Sequence, residues 1–477
     1  MSGPLWTLDA LKAATAGRVL GRPPAEISGI SIDSRTVGAG EAFFAIKGER
    51  LDGHEFVADA LSRGAALAVV AEARRKEMPV DAALLVVSDP LQALRGLARA
   101  ARARSRAKVI AITGSVGKTG TKEALRASLS REGETHASIA SFNNQWGVPL
   151  SLARMPEGAR FAVFELGMNH AGEIEPLAKL VRPHVALITS VEAVHLEFFR
   201  SVDEIADAKA EIFLGVEPGG AAVLPRDNPH HERLEAAARG AGIKRVVGFG
   251  AHERAEARLI DAAIKPQCSA VRARIMGDEI TYKIGAPGRH LVENSLAVLA
   301  AAKLVGADLA QAALELATLQ PPPGRGRRIA LELTQGEALL IDESYNANPA
   351  SMRAALEVLG NAPLGRRGRR IAVLGDMLEL GTEGVRLHRE LAAAIEAAGI
   401  DVVYCVGPLM RSLWDVLPAA RRGGYAESAA LLESDVVAAL RAGDAVMVKG
   451  SNGSRMGTIV KALAEKFRVR QTADAPA

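Results

Sequence analysis

The sequence has little cysteine and no long uncharged apolar run. Only Cys268 and Cys405 occur among 477 residues. Two cysteines cannot build a disulfide framework, and this pair lacks metal-ligand spacing, so we expect a reducing compartment, by default the cytoplasm. No stretch approaches the roughly 18 apolar residues of a membrane span, and the N-terminus has no signal-peptide pattern. We therefore expect neither export nor stable association with a membrane.

A strong charge of one sign is also missing. Lys and Arg number 59 against 55 Asp and Glu, which leaves a formal net charge of +4. This excess is too small to indicate nucleic-acid binding, so the partners are expected to be small molecules held at defined sites, and the chain is expected to be a monomer. The chain is 48% hydrophobic and 24% charged, which is ordinary globular composition, and its 477 residues suggest about three domains.

Short apolar or β-branched runs recur along the chain and are typical of buried strands. Longer Ala-, Leu-, Arg- and Glu-rich stretches with helical spacing lie between them, for example 89–104 and 385–398. Strands that alternate with helices predict an α/β protein whose parallel sheets are covered on both faces. The predicted strands are 67–71, 83–87, 109–113, 161–166, 185–190, 338–342, 371–375 and 401–407.

Two changes in composition predict the domain boundaries. The Arg-rich segment ARARSRAK (101–108) precedes one strand series, and PPPGRGRR (321–328) precedes another. Pro, Gly and Arg clusters of this kind are typical of linkers. The predicted domains are 1–107, 108–322 and 323–477, and the terminal QTADAPA is predicted to be a frayed tail.

A candidate phosphate-binding loop lies in VIAITGSVGKTGTKEAL (109–125), an apolar strand followed by a Gly-containing turn and a helix. Such a turn exposes backbone N–H groups at a helix N-terminus, while a lysine contacts phosphates and a threonine can bind Mg²⁺. The spacing is G-x-x-G-K-T, with Ile112 where the longer Walker A pattern has its first glycine. ATP binding is favoured, and the predicted contacts are Gly114, Ser115, Val116, Gly117, Lys118 and Thr119.

Polar residues follow two of the next predicted strands. FAVFEL ends in Glu165 and continues into GMNHAGEI with Asn169 and His170, and a later strand leads to His195. Ligands of open α/β sheets bind at the carboxyl ends of parallel strands. With a nucleotide loop upstream, Glu165 and His195 are candidate ligands of Mg²⁺, which uses carboxylates, phosphates and water.

Lys209, in the predicted helix ADAKAEIF, has three interpretations that the residues alone leave open. It could be a solvated helical lysine or a direct phosphate contact. It could also react with CO₂ to form a carbamate, which would turn an ammonium into an oxygen ligand for the metal.

The order of these motifs resembles the Mur ligases, the ATP-dependent amide-forming enzymes of peptidoglycan synthesis. The resemblance covers almost the whole chain, from ISIDSRTVGAGEAFFAIKGERLDGHEF and TGSVGKT through SFNNQWGVPLSL, AVHLE and AKAEIF to GRHLVENSLAVLAA, PGR and VKGSNGSRM. ELGMNHAGEI, DESYNANPASM and GDMLELG are most similar to the branch that adds a dipeptide. The family implies a UDP-sugar-binding N-terminal domain, a P-loop ATPase-like central domain with a parallel sheet, and a Rossmann-like C-terminal domain.

The resemblance also implies a role for individual residues. Lys118, His195 and Lys209 would be catalytic, and Thr119, Glu165, His195 and Lys209 would form the metal site. Asn294 near adenine, Arg325 at the phosphates, and Asp342 or Glu343 at the ribose would bind ATP; which of the two acids contacts the ribose stays open. The implied substrate contacts are Ser34, Arg35, Lys47, Asn143, Asn144, Asn169, His170, Tyr345, Asn346, Asn348 and His388. Gly120 stands where relatives usually carry Ser or Thr.

The implied reaction is ATP-dependent formation of an amide bond between UDP-N-acetylmuramoyl-tripeptide and D-alanyl-D-alanine through an acyl phosphate. Whether meso-diaminopimelate or lysine ends the tripeptide stays open. Three alternatives are another Mur or folylpolyglutamate synthetase-like ligase, a P-loop ATPase that drives a conformational switch, and a non-enzymatic nucleotide-sugar-binding protein. The DSR and DGHEF segments argue against the folate alternative, and SYNANPASM argues against the other muramyl ligases.

Overall fold

The computed structural model describes residues 3–139 and 141–470. QTADAPA (471–477) lies outside the described residues. Three main β-sheets succeed one another along the chain, of five, nine and seven strands. Each is built from predominantly parallel strands with helices packed against it, which confirms the predicted α/β class. Within the described ranges, none of the helices combines the length and apolar character needed to cross a membrane.

The first sheet is formed by the N-terminal part of the chain. Its strand order is β2-β7-β6-β5-β4, in which only β2 is antiparallel to its neighbour. Helix α3 begins at Pro90, directly after Asp89, whose side chain accepts a hydrogen bond from the backbone N–H of Gln92. The elements are β1 Trp6–Thr7, α1 Leu8–Thr15, β2 Arg18–Leu20, β3 Glu26–Ile27, β4 Gly29–Ser31, β5 Glu41–Phe44, α2 Val57–Ser62, β6 Leu67–Ala71, β7 Leu84–Val87 and α3 Pro90–Arg104.

The central sheet has the order β16-β15-β14-β13-β12-β11-β8-β10-β9, parallel from β9 to β14 and antiparallel at β15 and β16. Strands β8 and β10 are buried on both faces, as their continuous apolar sequences predict. The elements are β8 Lys108–Thr113, α4 Lys118–Ser130, β9 Thr135–Ala137, α5 Gly147–Ala153, β10 Phe161–Glu165, α6 Ile174–Val181, β11 Val185–Ile188, α7 Val202–Ala210, β12 Ala221–Pro225, α8 His231–Gly240, β13 Arg245–Gly250, β14 Ala257–Ile264, β15 Ser269–Ile275, β16 Asp278–Ile284, α9 Arg289–Leu304 and α10 Leu309–Leu316.

The third sheet has the order β21-β20-β19-β22-β18-β17-β23, with five parallel strands and the antiparallel pair β17 and β23 at one edge. The helical pattern predicted over 385–398 is divided into two helices at Glu390. The elements are β17 Arg327–Leu333, β18 Gly336–Glu343, α11 Pro349–Gly360, β19 Arg370–Gly375, α12 Gly384–Arg389, α13 Leu391–Ala397, β20 Val402–Val406, α14 Arg411–Val416, β21 Arg422–Ala426, α15 Ala429–Ala439, β22 Ala445–Lys449, α16 Gly457–Lys466 and β23 Arg468–Arg470.

The first and central parts of the chain are joined by buried polar contacts. Trp6 Nε1 donates to the carbonyl of Ala153 at 2.9 Å, and the Arg104 guanidinium lies 3.6 Å from the centroid of the Trp6 ring. Arg102 Nε donates to the carbonyl of Val181 at 2.8 Å. These contacts attach β1 and α3 of the first region to the C-terminal ends of α5 and α6 in the central region.

Candidate active site

The phosphate-binding loop connects β8 to α4 and depends on two glycines with positive φ. Gly114 has φ +145°, and a Cβ there would lie 2.0 Å from Thr189 Oγ1. Gly117, with φ +88°, is the residue before α4. The loop therefore needs glycine at both positions, and it ends at the N-terminus of α4, where free N–H groups favour an anion. Lys118 Nζ folds back over the loop and donates to the Gly114 carbonyl at 2.5 Å.

A buried carboxylate stands beside this loop. Glu165, at the end of β10, is 1% exposed, and β10 pairs with β8 in parallel. Its Oε2 accepts a hydrogen bond from Thr119 Oγ1 at 2.9 Å, and its Oε1 accepts from Asn143 Nδ2 at 2.8 Å. The register of the two strands thus brings a carboxylate, a hydroxyl and an amide together at the first turn of α4.

Lys209, near the end of α7, is 2% exposed. Burial, with a smaller contribution from the positive charge of Lys118, holds the pKa of its amine well below the ordinary value. Within the described part of the chain, Lys209 Nζ makes no hydrogen bond or ion pair. The structure therefore excludes the solvated-lysine interpretation. A neutral lysine amine is the form that reacts with CO₂.

His195 is held by Glu379, which follows strand β19 of the third sheet. It has φ +55°, and its Nδ1 lies 2.6 Å from Oε2 of Glu379, which has φ +62°. The hydrogen bond with His195 lowers the pKa of the Glu379 carboxyl. A carboxylate on one ring nitrogen fixes the orientation of an imidazole and leaves the other nitrogen, Nε2, for a ligand or a proton.

Arg325 reaches across from the linker to the central region. Its guanidinium donates to Ser141 Oγ at 3.1 Å and lies 4.0 Å from the centroid of the Tyr345 ring. The backbone around it is tied to β18, because Asp342 Oδ2 accepts from Gly324 N–H at 2.8 Å and the Asp342 carbonyl accepts from Gly326 N–H at 2.8 Å. The neighbouring Glu343 accepts from Lys449 Nζ at 3.1 Å.

The phosphate loop, Glu165, His195 and Arg325 surround one cavity of about 600 Å³ between the central and C-terminal regions. The predicted site residue Lys209 lines neither this cavity nor the second one described below. The cavity brings the phosphate loop, the buried carboxylate and the residues around the third sheet to a single space. The predicted site residues that line it are Ser115, Val116, Gly117, Lys118, Thr119, Asn143, Glu165, Asn169, His195, Asn294, Arg325, Glu343, Tyr345, Asn346 and Asn348.

A second cavity, of about 770 Å³, lies between α3 of the first region and α6 of the central one. Asn143 and Asn169 line both cavities, and Asn144 lines the second. The two spaces therefore adjoin at the end of β10, and a long substrate could extend through them from the first region to the phosphate loop.

Several predicted residues line neither cavity. Gly114 shapes the loop from beneath, and Asp342, 6% exposed, uses its carboxylate to hold the linker, so Glu343 is the acid of this pair that faces the cavity. His170 is exposed and pairs with Glu173 at 3.2 Å. In the first region Ser34 is buried, while Arg35 and Lys47 are exposed, and Arg35 is paired with Asp33 at 2.7 Å.

His388 is fully buried, although the resemblance implied a substrate contact. Its Nε2 accepts from the Met377 N–H at 2.9 Å, and its Nδ1 lies 2.6 Å from the Gly384 carbonyl. Burial lowers the pKa of the ring. Both nitrogens are occupied by backbone, so His388 positions the GDMLELG loop and does not reach the cavity.

Four residues of the site were missed in the sequence. His290 and Lys449 line the cavity, Ser141 binds Arg325, and Glu379 binds His195. Each lies inside a segment that carries the family resemblance, GRHLVENS, VKGSNGSRM, SFNNQW or GDMLELG. Ser141 and Glu379 each bind a side chain 184 residues away and Lys449 binds one 106 residues away, so only the fold brings these groups together.

The donor set suits a hard divalent cation that also binds phosphate. The described residues contain no cluster of three or more His, Cys, Asp and Glu side chains able to enclose a metal. Mg²⁺ needs no such cluster, because it commonly uses one or two carboxylates together with substrate phosphates and water. The Thr119 hydroxyl and the Glu165 carboxylate, 2.9 Å apart, provide such an incomplete oxygen site.

Comparison with known proteins agrees with this geometry. Residues 26–102 match the Mur ligase family, catalytic domain; residues 112–302 match the Mur ligase middle domain; and residues 327–452 match the Mur ligase, glutamate ligase domain. The chain is 34% identical to the UDP-N-acetylmuramoyl-tripeptide–D-alanyl-D-alanine ligase of Rickettsia prowazekii, over 90% of this chain and 94% of that protein. Identity to the ligase of the same name from Escherichia coli is 34%, over 92% and 94%.

Solved structures show the same relationship. MurF from Acinetobacter baumannii superposes with a TM-score of 0.82 at 32% identity, over 96% of this chain and 99% of that one. The MurF ligase of Thermotoga maritima, solved in complex with ADP, superposes with a TM-score of 0.75 at 26% identity, over 92% and 97%. This chain belongs to the Mur ligase family, whose members are ATP-dependent amide-forming ligases.

Proposed function

We propose that this enzyme joins D-alanyl-D-alanine to the terminal carboxylate of UDP-N-acetylmuramoyl-tripeptide in peptidoglycan precursor synthesis, with conversion of ATP to ADP and phosphate. One observation carries the proposal. Lys118 and Glu165 of the central region and Arg325 of the C-terminal region line one cavity. That cavity adjoins a second one, which lies between the central region and the first region. That arrangement can hold ATP, a long acyl substrate and an amine together.

The chemistry requires activation of a carboxylate, which is a poor acyl donor. The tripeptide carboxylate attacks the γ-phosphate of ATP, and the resulting acyl phosphate is then attacked by the amine of the dipeptide with release of phosphate. Phosphoryl transfer depends on positioning and charge neutralisation. We assign these tasks to the loop residues 114–119, to the ammonium of Lys118 and to the guanidinium of Arg325.

A bound Mg²⁺ would neutralise phosphate charge in this reaction. We propose that Thr119 and Glu165 hold it, with His195 through Nε2 and with Lys209 as a carbamate. The Glu379 contact of 2.6 Å on Nδ1 supports this use of His195, because metal-binding histidines usually donate their other N–H to an oxygen. Asn294 and Glu343 line the cavity and are proposed to contact the nucleoside, Glu343 at the ribose.

We retain the domain boundaries 1–107, 108–322 and 323–477, since the five-, nine- and seven-stranded sheets lie within these ranges. The first domain is proposed to hold the UDP-sugar near Ser34, Arg35 and Lys47, and the third to hold the dipeptide. Tyr345, Asn346 and Asn348 line the main cavity on the third-domain side. A cytoplasmic monomer is the proposed state.

The test is phosphate release from ATP across a matrix of UDP-muramyl-tripeptides and D-amino-acid dipeptides. We expect release only when a tripeptide and D-alanyl-D-alanine are both present, with formation of the pentapeptide confirmed by mass. Lys118→Ala is the matched inactive control. Phosphate release that is independent of the amine would refute the ligase assignment and favour an ATPase.

A further inference from the structure

Two arginines of the first domain line the second cavity without a partner among the residues that the structure describes. Arg95 and Arg99 lie on α3 and line the cavity together with Glu49 and Lys179. They are four residues apart, so they share one face of the helix, while Leu94, Leu97 and Ala98 on the other faces are buried. Within the described residues neither arginine makes a hydrogen bond or an ion pair, whereas Arg102 and Arg104 on the same helix are bound to backbone carbonyls.

The other charges of this cavity are largely engaged. Lys179 Nζ binds Glu175 at 2.6 Å. Glu173 Oε2 accepts from the backbone N–H of Asn169 at 2.7 Å, and its Oε1 faces His170. Arg95, Arg99 and Glu49 are the lining charges that remain available, which gives the cavity two cationic groups and one anionic group for a ligand.

The place of these charges limits what they can bind. The cavity meets the phosphate loop's cavity at Asn143 and Asn169, and the reacting carboxylate of the tripeptide must reach that loop. The part of the peptide just before the reacting carboxylate therefore occupies the second cavity. A terminal diaminopimelate carries an ammonium and a carboxylate on its side chain, whereas lysine carries an ammonium alone.

We propose that Arg95 and Arg99 bind the side-chain carboxylate of the tripeptide's third residue, with Glu49 opposite its ammonium, and so select meso-diaminopimelate over lysine. Guanidinium groups bind carboxylates with two parallel hydrogen bonds, and two of them one turn apart can enclose one carboxylate. This inference rests on the proposed function and adds the identity of the third residue.

The experiment compares kcat/KM for the diaminopimelate- and lysine-containing UDP-muramyl-tripeptides in the wild type and in the R95Q/R99Q double variant. We expect the wild type to prefer diaminopimelate, and the double variant to lose about 10- to 100-fold in kcat/KM with that substrate, mainly through KM, because charge-assisted hydrogen bonds are lost. With the lysine substrate the change should stay within about threefold, so the preference collapses.

The matched control is R22Q/R75Q, which removes two exposed charges from the same domain at positions that line neither cavity and form no ion pair in the described structure. It should leave both kcat/KM values unchanged, and thermal melting should show that both double variants are folded. An equal loss with both substrates would overturn the proposal and place the arginines at the diphosphate or at a carboxylate common to both peptides. Unchanged kinetics would overturn it as well. A wild type inactive with both peptides would instead refute the ligase function.

Discussion

Replacement of Arg325 by alanine tests whether the third domain completes the phosphoryl-transfer site. The guanidinium faces the same cavity as Lys118 and is near enough to lower the pKa of the Lys118 amine, after the larger effect of burial. Protein contacts hold these two mutually repelling cations at one cavity, which makes the space between them favourable for an anion. ATP phosphates are that anion in the proposed reaction.

The magnitude follows from Coulomb's law. A unit charge about 4 Å from a phosphate oxygen contributes about 4 kcal/mol at an effective dielectric constant of about 20. Water that enters the vacated space recovers part of this, so we expect a loss of about 3 kcal/mol, or roughly 100-fold in kcat/KM. Folding should change little, since the lost contacts are one hydrogen bond to Ser141 and one contact with the Tyr345 ring, together about 1–2 kcal/mol.

The assay is phosphate release with saturating tripeptide and dipeptide and varied ATP, alongside thermal melting. R325K, which keeps the charge and loses the planar fork, should fall between the wild type and R325A. R366A removes an exposed arginine of the third domain as a control. A folded R325A enzyme with kcat/KM within about threefold of the wild type would refute the reasoning, because the third domain would then add no charge to the reaction.

Two further predictions concern titratable groups that the structure withdraws partly or wholly from water. If Lys209 is carbamylated, enzyme stripped of CO₂ should lose activity and regain it with bicarbonate, and ¹³C-bicarbonate should give a carbamate NMR signal. The K209M variant should show neither response. Activity that does not depend on CO₂ would contradict carbamylation. Burial lowers the pKa of His136 to about 4 from 6.5. The unfolded chain therefore binds a proton that the native protein does not between those values, so the free energy of unfolding should fall by about 3 kcal/mol from pH 6.5 to pH 4. Denaturant titrations at pH 6.5 and pH 4 measure this change in the free energy of unfolding, and it should be absent in H136N. If the free energies of wild type and H136N fell in parallel with pH, the assignment to His136 would be contradicted.

The sequence predicts the parallel strands and the phosphate loop well, because both depend on local patterns. Continuous apolar runs gave β8 and β10, and the end of β10 correctly placed Glu165 beside the loop. The antiparallel extension β14–β16 was not anticipated, since only β15 shows clear alternation of buried and exposed residues. The His195–Glu379 contact joins residues 184 apart, which no local pattern reveals.

The sequence also did not predict in which direction the individual side chains of a motif point. Asp342 and Glu343 are neighbours on β18, and successive residues of a strand point to opposite sides, so they cannot share a role. Asp342 holds Gly324 and Ser344, whereas Glu343 lines the cavity. His388 in the same way is turned inward by two backbone hydrogen bonds. Motifs identified the segments, and only the backbone geometry assigned the tasks within them.

The ties between Asp342 and the linker have a consequence for how ATP is conserved. Because Gly324 and Gly326 are hydrogen-bonded to Asp342, Arg325 is tied to strand β18 and would move together with the third domain. A rotation of that domain away from the central one would therefore withdraw Arg325, Glu343 and Tyr345 from the nucleotide together. A bound ATP would then face a half-assembled site, so an enzyme waiting for its amine substrate would not spend ATP on water.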